Sequence, residues 1–249
     1  MEYFFVFLLC IVIGFINTLV GSGSLIMIPL LIAFGLPAPI ANGTNRVAVF
    51  FQSLTGAITF FSKQKTYPRY AVWVIVPCLL SAVVGAWVAT QISPKALETA
   101  IGVLLFVMLG VVLLKPERWL KKETNPELKI TWITLLAMVG SGFYGGFIQG
   151  GVGIFLMASL VLGAGYSTKE SNALKLLILA FYSLPVLLVF VWYDQVNWVW
   201  GLFTAVGQSI GAYIGARFTL KNSQAELWTY RVLVLVLFAS LLQFIISKL

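Results

Sequence analysis

The stretch from Tyr3 to Asn45, YFFVFLLCIVIGFINTLVGSGSLIMIPLLIAFGLPAPIANGTN, carries no charge over 43 residues. About 20 apolar residues cross a bilayer as one helix, because only a helix satisfies its own backbone groups in hydrocarbon. The run is therefore too long for one crossing. Part way along it is interrupted by Gly21-Ser22-Gly23-Ser24, which reads as two helical pieces joined by a turn. A second long uncharged run, Ile130 to Thr168, is broken in the same way by Gly150-Gly151-Val152-Gly153. The N-terminal run does not read as a cleaved secretory leader, since Met1-Glu2-Tyr3 has no basic region and the run is far longer than a leader's apolar core.

Sliding the chain on itself by 130 positions superposes the two breaks, and ten of the forty residues from 21 to 60 are then identical. Gly21/Gly151, Gly23/Gly153, Gly35/Gly165 and Asn42/Asn172 fall in register without a gap. The chain thus reads as a duplication: residues 1–114 form a first transmembrane repeat, residues 115–129 a basic cytoplasmic linker, and residues 130–249 a second repeat. Each repeat is expected to hold a glycine-broken helical hairpin followed by three transmembrane helices, an all-α polytopic membrane protein.

Composition agrees. Of 249 residues, 60% are apolar and 10% charged, with a mean hydropathy of +0.99, which excludes a water-soluble globule. Sixteen Lys and Arg against eight acids give a formal +8, too thinly spread to build a nucleic-acid face. With no His, and with Cys10 and Cys78 both in apolar runs, there is no material for a zinc site or a thiol–imidazole pair. The sequence calls for no cofactor and no metal. Eight Trp and nine Tyr, many near helix ends, read as interfacial belts.

Basic residues favour cytoplasmic loops, so they discriminate between parallel and inverted repeats. If each broken run is a single bent crossing, the sixteen basic residues divide 9 to 7. If each is a hairpin that returns to its own side, the halves are inverted and thirteen fall inside, leaving Arg46, Lys95 and Lys248 outside. The inverted arrangement, with both termini outside, is the better reading.

The glycine breaks are the candidate binding elements. Interrupting a helix frees amide N–H groups, and the next helix points its positive end at the same spot, where an anion would be held. The candidates are Gly21, Ser22, Gly23 and Ser24 in the first half and Gln149, Gly150, Gly151 and Gly153 in the second. The plain alternative is that the glycines only let helices pack closely. After each break a polar cluster opens a helix: Asn42-Gly43-Thr44-Asn45-Arg46, and Ser171-Asn172-Ala173-Leu174-Lys175. Thr44, Asn45, Arg46, Asn172 and Lys175 are candidate substrate contacts, because a cation about a turn into a membrane helix opposes the dipole unless an anion compensates. Snorkelling to the interface is the competing account of Arg46 and Lys175. Gln52 and Gln208 read first as packing hydrogen bonds. The acids lie near ends or in loops, so no carboxylate or His stands mid-membrane to relay protons or bind sodium, although Glu170 at a helix start is an exception to keep.

Gly14-Phe15-Ile16-Asn17 through Gly21-Ser22-Gly23-Ser24, Pro29 and Asn42-Gly43-Thr44-Asn45-Arg46 resembles the first-half signature of the sulfite exporter TauE/SafE family, also called toluenesulfonate uptake permeases. Gly142-Phe143-Tyr144-Gly145-Gly146 leading to Gly150-Gly151-Val152-Gly153 is similar to its second-half counterpart. Two departures stand out: the first break lacks a full glycine triplet, and Pro29 has Ser159 as its repeat-mate. The resemblance implies a multi-pass transporter of the cell inner membrane for sulfur-containing or organic anions such as sulfite and sulfonates. Export is the default direction, since an inside-negative potential drives anions outward. The expected partners are a small anionic substrate and the lipid bilayer, with no nucleic acid; the sequence does not fix an oligomeric state. An integral-membrane enzyme lacks a nucleophile–base pair here, and a non-transporting partner subunit would be expected to carry large soluble loops.

Overall fold

The computed structural model describes residues 2–63, 71–97, 99–100, 103, 130–166, 168–222 and 238. Among these the chain is helical, without strands. The linker at 115–129 and the last expected crossing of each half, near 99–114 and 232–247, lie wholly or largely outside the described residues.

Helix α1 (Glu2–Val20) ends at Gly21, which takes up a left-handed φ of 78°. The chain doubles back into α2 (Ser24–Ala33). That helix closes with the Leu36 amide reaching back to the Leu31 carbonyl around Gly35, a turn that needs positive φ. Helices α3 (Ala38–Lys63) and α4 (Ala71–Gln91) follow. The second half repeats the order: α5 (Trp132–Phe147), capped by the Thr131 hydroxyl, then Gly151 at φ 74°, then α6 (Val152–Ala158). Helix α6 runs on through a π-helical turn, Ser159–Gly163, and closes around Gly165 as α2 closes around Gly35. The π turn begins at the mate of Pro29, so both returning helices depart from regular bonding at the same position. Helices α7 (Thr168–Trp192) and α8 (Trp198–Lys221, capped by Asn197) complete the set.

Residue contacts give the helix directions. Val47 and Ala48 of α3 cluster with Leu187 of α7, whereas Ala57 and Phe60 cluster with Ala173 and Leu176. Helices α3 and α7 are therefore antiparallel. Tyr3 lies against Trp200, and Phe15 against Phe218, so α1 runs parallel to α8. Gly142 and Gly146 of α5 sit on the Cys78 and Ala82 backbones of α4, again parallel. Gly207 and Gly211 let α8 approach α1 just as closely, the small-residue packing expected where hydrocarbon supplies no hydrophobic drive between helices.

The outer faces are apolar. Leu8 and Val12 on α1, Trp73, Leu80 and Val84 on α4, Leu184 and Leu188 on α7, and Leu202 and Val206 on α8 are exposed at helical spacing, as hydrocarbon as the surrounding solvent requires. Tyr3–Val20, Ala71–Gln91 and Glu170–Trp192 are each long and apolar enough to span a membrane. Helix α3 is long as well, but its inner face carries the buried Asn42, Thr44, Asn45, Arg46, Gln52 and Ser53. The chain is a multi-pass membrane protein.

Sequence reading had the two polar clusters opening their helices. The structure corrects this for both: α3 starts at Ala38 and α7 at Thr168, so Asn42 and Ser171 each lie about a turn inside the helix. Pro39 is tolerated in that first turn, where its missing N–H has no partner to lose.

Candidate functional site

The two glycine breaks touch. The Gly153 amide donates to the Gly21 carbonyl at 3.2 Å, and a Cβ on Gly21 would fall 2.3 Å from the Gly153 Cα. Backbone meets backbone, so only glycine fits on either side. The amides freed by the interruptions are partly taken up inside the protein. That of Gly153 goes to Gly21, and that of Gly23 to the Asn17 side-chain oxygen at 2.9 Å.

Arg46 and Lys175 are both fully buried, and each serves the other half of the chain. The Arg46 guanidinium donates to the carbonyls of Gly145 and Gly146 at the end of α5, to the Gln149 side-chain oxygen and to Asn42 Oδ1. Phe190 packs beneath it, 5.2 Å from the ring centroid to Cζ. Lys175 Nζ donates to the carbonyls of Thr18 and Leu19, 3.0 and 3.3 Å away, at the end of α1. Each break leaves C-terminal carbonyls without an amide partner at the negative end of a helix dipole, and a cation from the opposite half covers them. This corrects the expectation that only an anion could offset these charges: helix C-termini do so in part. Snorkelling is excluded for both, since each is 0% exposed.

Asn42 Nδ2 reaches the Phe147 carbonyl at 2.8 Å, Asn45 Nδ2 the Ser24 hydroxyl at 2.9 Å, and Tyr182 the Gln149 oxygen at 3.1 Å. Tyr144 donates to the Gly150 carbonyl. Gln149 itself is held at a φ of 68°, in the left-handed region, which its two side-chain partners over-determine. Of the residues expected at the site, Gly21, Gly23, Ser24, Asn45, Lys175 and, on the facing side, Arg46, Gln149, Gly150 and Gly153 are brought together by these bonds and contacts, while Ser22 lies within the first break with its buried hydroxyl unpartnered and Gly151 within the second at a left-handed φ. Thr44 is not: its hydroxyl accepts from the Asn197 amide at the α7–α8 turn. Asn172 is buried one turn before Lys175, with its side-chain oxygen unpartnered.

Sequence reading missed Asn17, Tyr144 and Tyr182; Gln52, read as making packing hydrogen bonds, accepts one from Asn17 at 2.8 Å. A signal existed, since Gln52 and Tyr182 are 130 positions apart and each reaches the polar network at its own break. Several buried polar atoms have no partner, among them Ser22 Oγ, Asn45 Oδ1, Gln52 Nε2 and Arg46 Nε. Each such group left dry costs about 1–3 kcal/mol, a cost that a bound polar ligand would remove.

A family profile described as "Sulfite exporter TauE/SafE" matches residues 6–244. The chain belongs to the sulfite exporter TauE/SafE family. Similar proteins carry transporter names. "Probable membrane transporter protein ORF9" from Sinorhizobium sp is 25% identical over 222 residues, covering 88% of this chain and 83% of that protein. "Probable membrane transporter protein YfcA" from Escherichia coli (strain K12) is 25% identical, covering 88% and 81%, and "Probable membrane transporter protein YdhB" from Bacillus subtilis (strain 168) is 25% identical, covering 86% and 87%. No solved structure gives a significant match. Family and relatives together make this TauE/SafE chain a membrane transporter.

Proposed function

We propose that the protein carries small sulfur-containing or organic anions, such as sulfite or sulfonates, outward across the cell inner membrane, holding the anion between its two glycine breaks. The observation that carries this reading is the meeting of the breaks, Gly153 N–H on the Gly21 carbonyl, flanked by two fully buried cations. Among the described residues neither Arg46 nor Lys175 bonds a carboxylate, and all their acceptors are neutral oxygens. Two positive charges in a low-dielectric interior, offset only in part by helix C-terminal carbonyls and by no carboxylate among the described residues, set up the potential that an anion needs in order to leave water.

The two halves act as inverted repeats. The antiparallel run of α3 against its mate α7 supports this, because a parallel duplication would set mates in the same direction. An inverted arrangement puts the ends of α3 and α8 at Lys63 and Lys221 on one side, with the start of α7. The turn at Asp194 falls on the other side, in accord with positive charge inside. Proteoliposome flux of labelled sulfite, set against methanesulfonate and acetate, is the test. Sulfite or sulfonate should exchange faster than acetate, and protein that moves none of the three would end this reading.

A further inference from the structure

Both breaks turn at a left-handed glycine, Gly21 and Gly151, but their polar groups are satisfied differently. At the second, Arg46 is fixed by four acceptors, the Gln149 oxygen takes two donors, and Tyr144 closes on the Gly150 carbonyl. Of the side-chain atoms of Arg46, Gln149, Tyr144 and Tyr182, Arg46 Nε alone is buried without a partner among the described residues. At the first, Ser22 Oγ, Asn45 Oδ1 and Gln52 Nε2 all lack partners although Ser22, Asn45 and Gln52 are each 0% exposed. The sequence carries the same asymmetry: Ser22 and Ser24 have Val152 and Ile154 as mates, and Asn17 has Phe147.

The chemistry of the unpaired groups follows from a chain of bonds anchored on the backbone. The Gly23 amide can only donate, so the Asn17 atom facing it is the oxygen. Asn17 must then turn its N–H to Gln52, which answers with Oε1 at 2.8 Å. The free end of Gln52 is therefore an NH₂ donor. Asn45 meets a Ser24 hydroxyl that can give or accept, so it too can turn an N–H inward. Lys175 spends two of its three N–H groups on Thr18 and Leu19 and keeps one.

We propose that the anion is coordinated by the first break alone, through the Gln52 amide, the Ser22 hydroxyl and the Lys175 ammonium. The second break, closed by Arg46, Gln149 and Tyr182, is the fixed surface against which it works. The ligand this donor set fits is a compact oxyanion, whose acceptor oxygens take N–H and O–H groups that have nowhere else to go. The inference rests on the anion-carrier reading above and assigns Gln52 as a binding residue.

The test uses the purified full chain, with melting temperature in detergent read with and without sulfite or methanesulfonate, and flux read in proteoliposomes. Gln52→Leu, and Gln52→Met as a closer match in volume, should fold and melt close to the unmodified protein without anion, because the unpaired Gln52 NH₂ is removed while the Asn17 N–H it accepts from is left unpaired. Both should lose the anion-dependent rise and at least tenfold of flux. Ser22→Ala should act in the same direction. Tyr182→Phe, at the repeat-mate of Gln52, should melt lower without anion and keep the rise. An undiminished rise and flux in both Gln52 variants overturns the proposal, as does loss of the rise in a folded Tyr182→Phe. Unmodified protein that neither binds nor moves either anion removes the carrier reading and this one together. Transport by unmodified protein with unaffected Gln52 variants removes this one alone.

Discussion

Replacing Gly21 by Ala drives one methyl group into the backbone of the facing break. The new Cβ would sit 2.3 Å from the Gly153 Cα and 3.0 Å from its nitrogen, both backbone atoms that no rotamer change can move. Overpacking of this kind costs about 1–3 kcal/mol. The left-handed φ of 78° adds about 1–2 kcal/mol for a residue with a Cβ. Separating the breaks also sacrifices the Gly153 to Gly21 hydrogen bond, worth about 1 kcal/mol net. The sum, about 3–6 kcal/mol, is a large share of the roughly 5–15 kcal/mol by which a domain is stable. Two other glycines separate the contributions. Gly35 has a φ of 87° with open space around it, so Gly35→Ala carries only the backbone cost, about 1–2 kcal/mol. Gly140 lies inside α5 with nothing within 4 Å, and Gly140→Ala should stabilise by about 0.5–1 kcal/mol. Reversible unfolding in mixed micelles ranks the three, with anion flux as a parallel readout. A Gly21→Ala protein within about 1 kcal/mol of Gly35→Ala would refute the claim that the breaks are in backbone contact.

Lys175→Gln should destabilise the protein by about 2 kcal/mol, and Arg46→Gln by about 3 kcal/mol, because each strips a charged donor from the C-terminal carbonyls of a broken helix. Unfolding midpoints with native slopes in both variants would show that the carbonyls need no cation. Cysteines placed at Pro37 and Asp194 should label together from outside intact cells, while one at Lys221 stays protected; joint labelling of 37 and 221 would favour parallel repeats. Flux of a sulfonate, which stays ionised, should follow a potassium–valinomycin voltage, with 100 mV inside negative shifting the equilibrium ratio outward by about fifty-fold. Flux that ignores voltage and follows a proton gradient instead would overturn potential-driven export and make Glu170 the first residue to substitute.

That this is a helical membrane chain follows from apolar run length alone, because a bilayer leaves the backbone no other way to satisfy itself. The two breaks were equally legible: Gly21 and Gly151 fall where φ turns positive, a local steric property that glycine records directly, whereas Gly35 and Gly165 stood out only as a matched pair and the positive φ of Gln149 and Asp194 left no glycine to read. Pairing between the halves was not legible. Nothing in a linear pattern says that Arg46 covers the carbonyls of Gly145 and Gly146, a hundred residues away, or that Lys175 covers those of Thr18 and Leu19. Read in isolation, both cations oppose the dipole of their own helix and seem to demand an anion. Only the packing of α3 and α7 against the opposite breaks brings the negative end of another helix to each. Tertiary structure likewise decided which polar groups go unpaired, because a side chain's satisfaction depends on every element around it. That is why the donor at the free end of Gln52 emerges only from the chain of bonds that runs from Gly23 through Asn17.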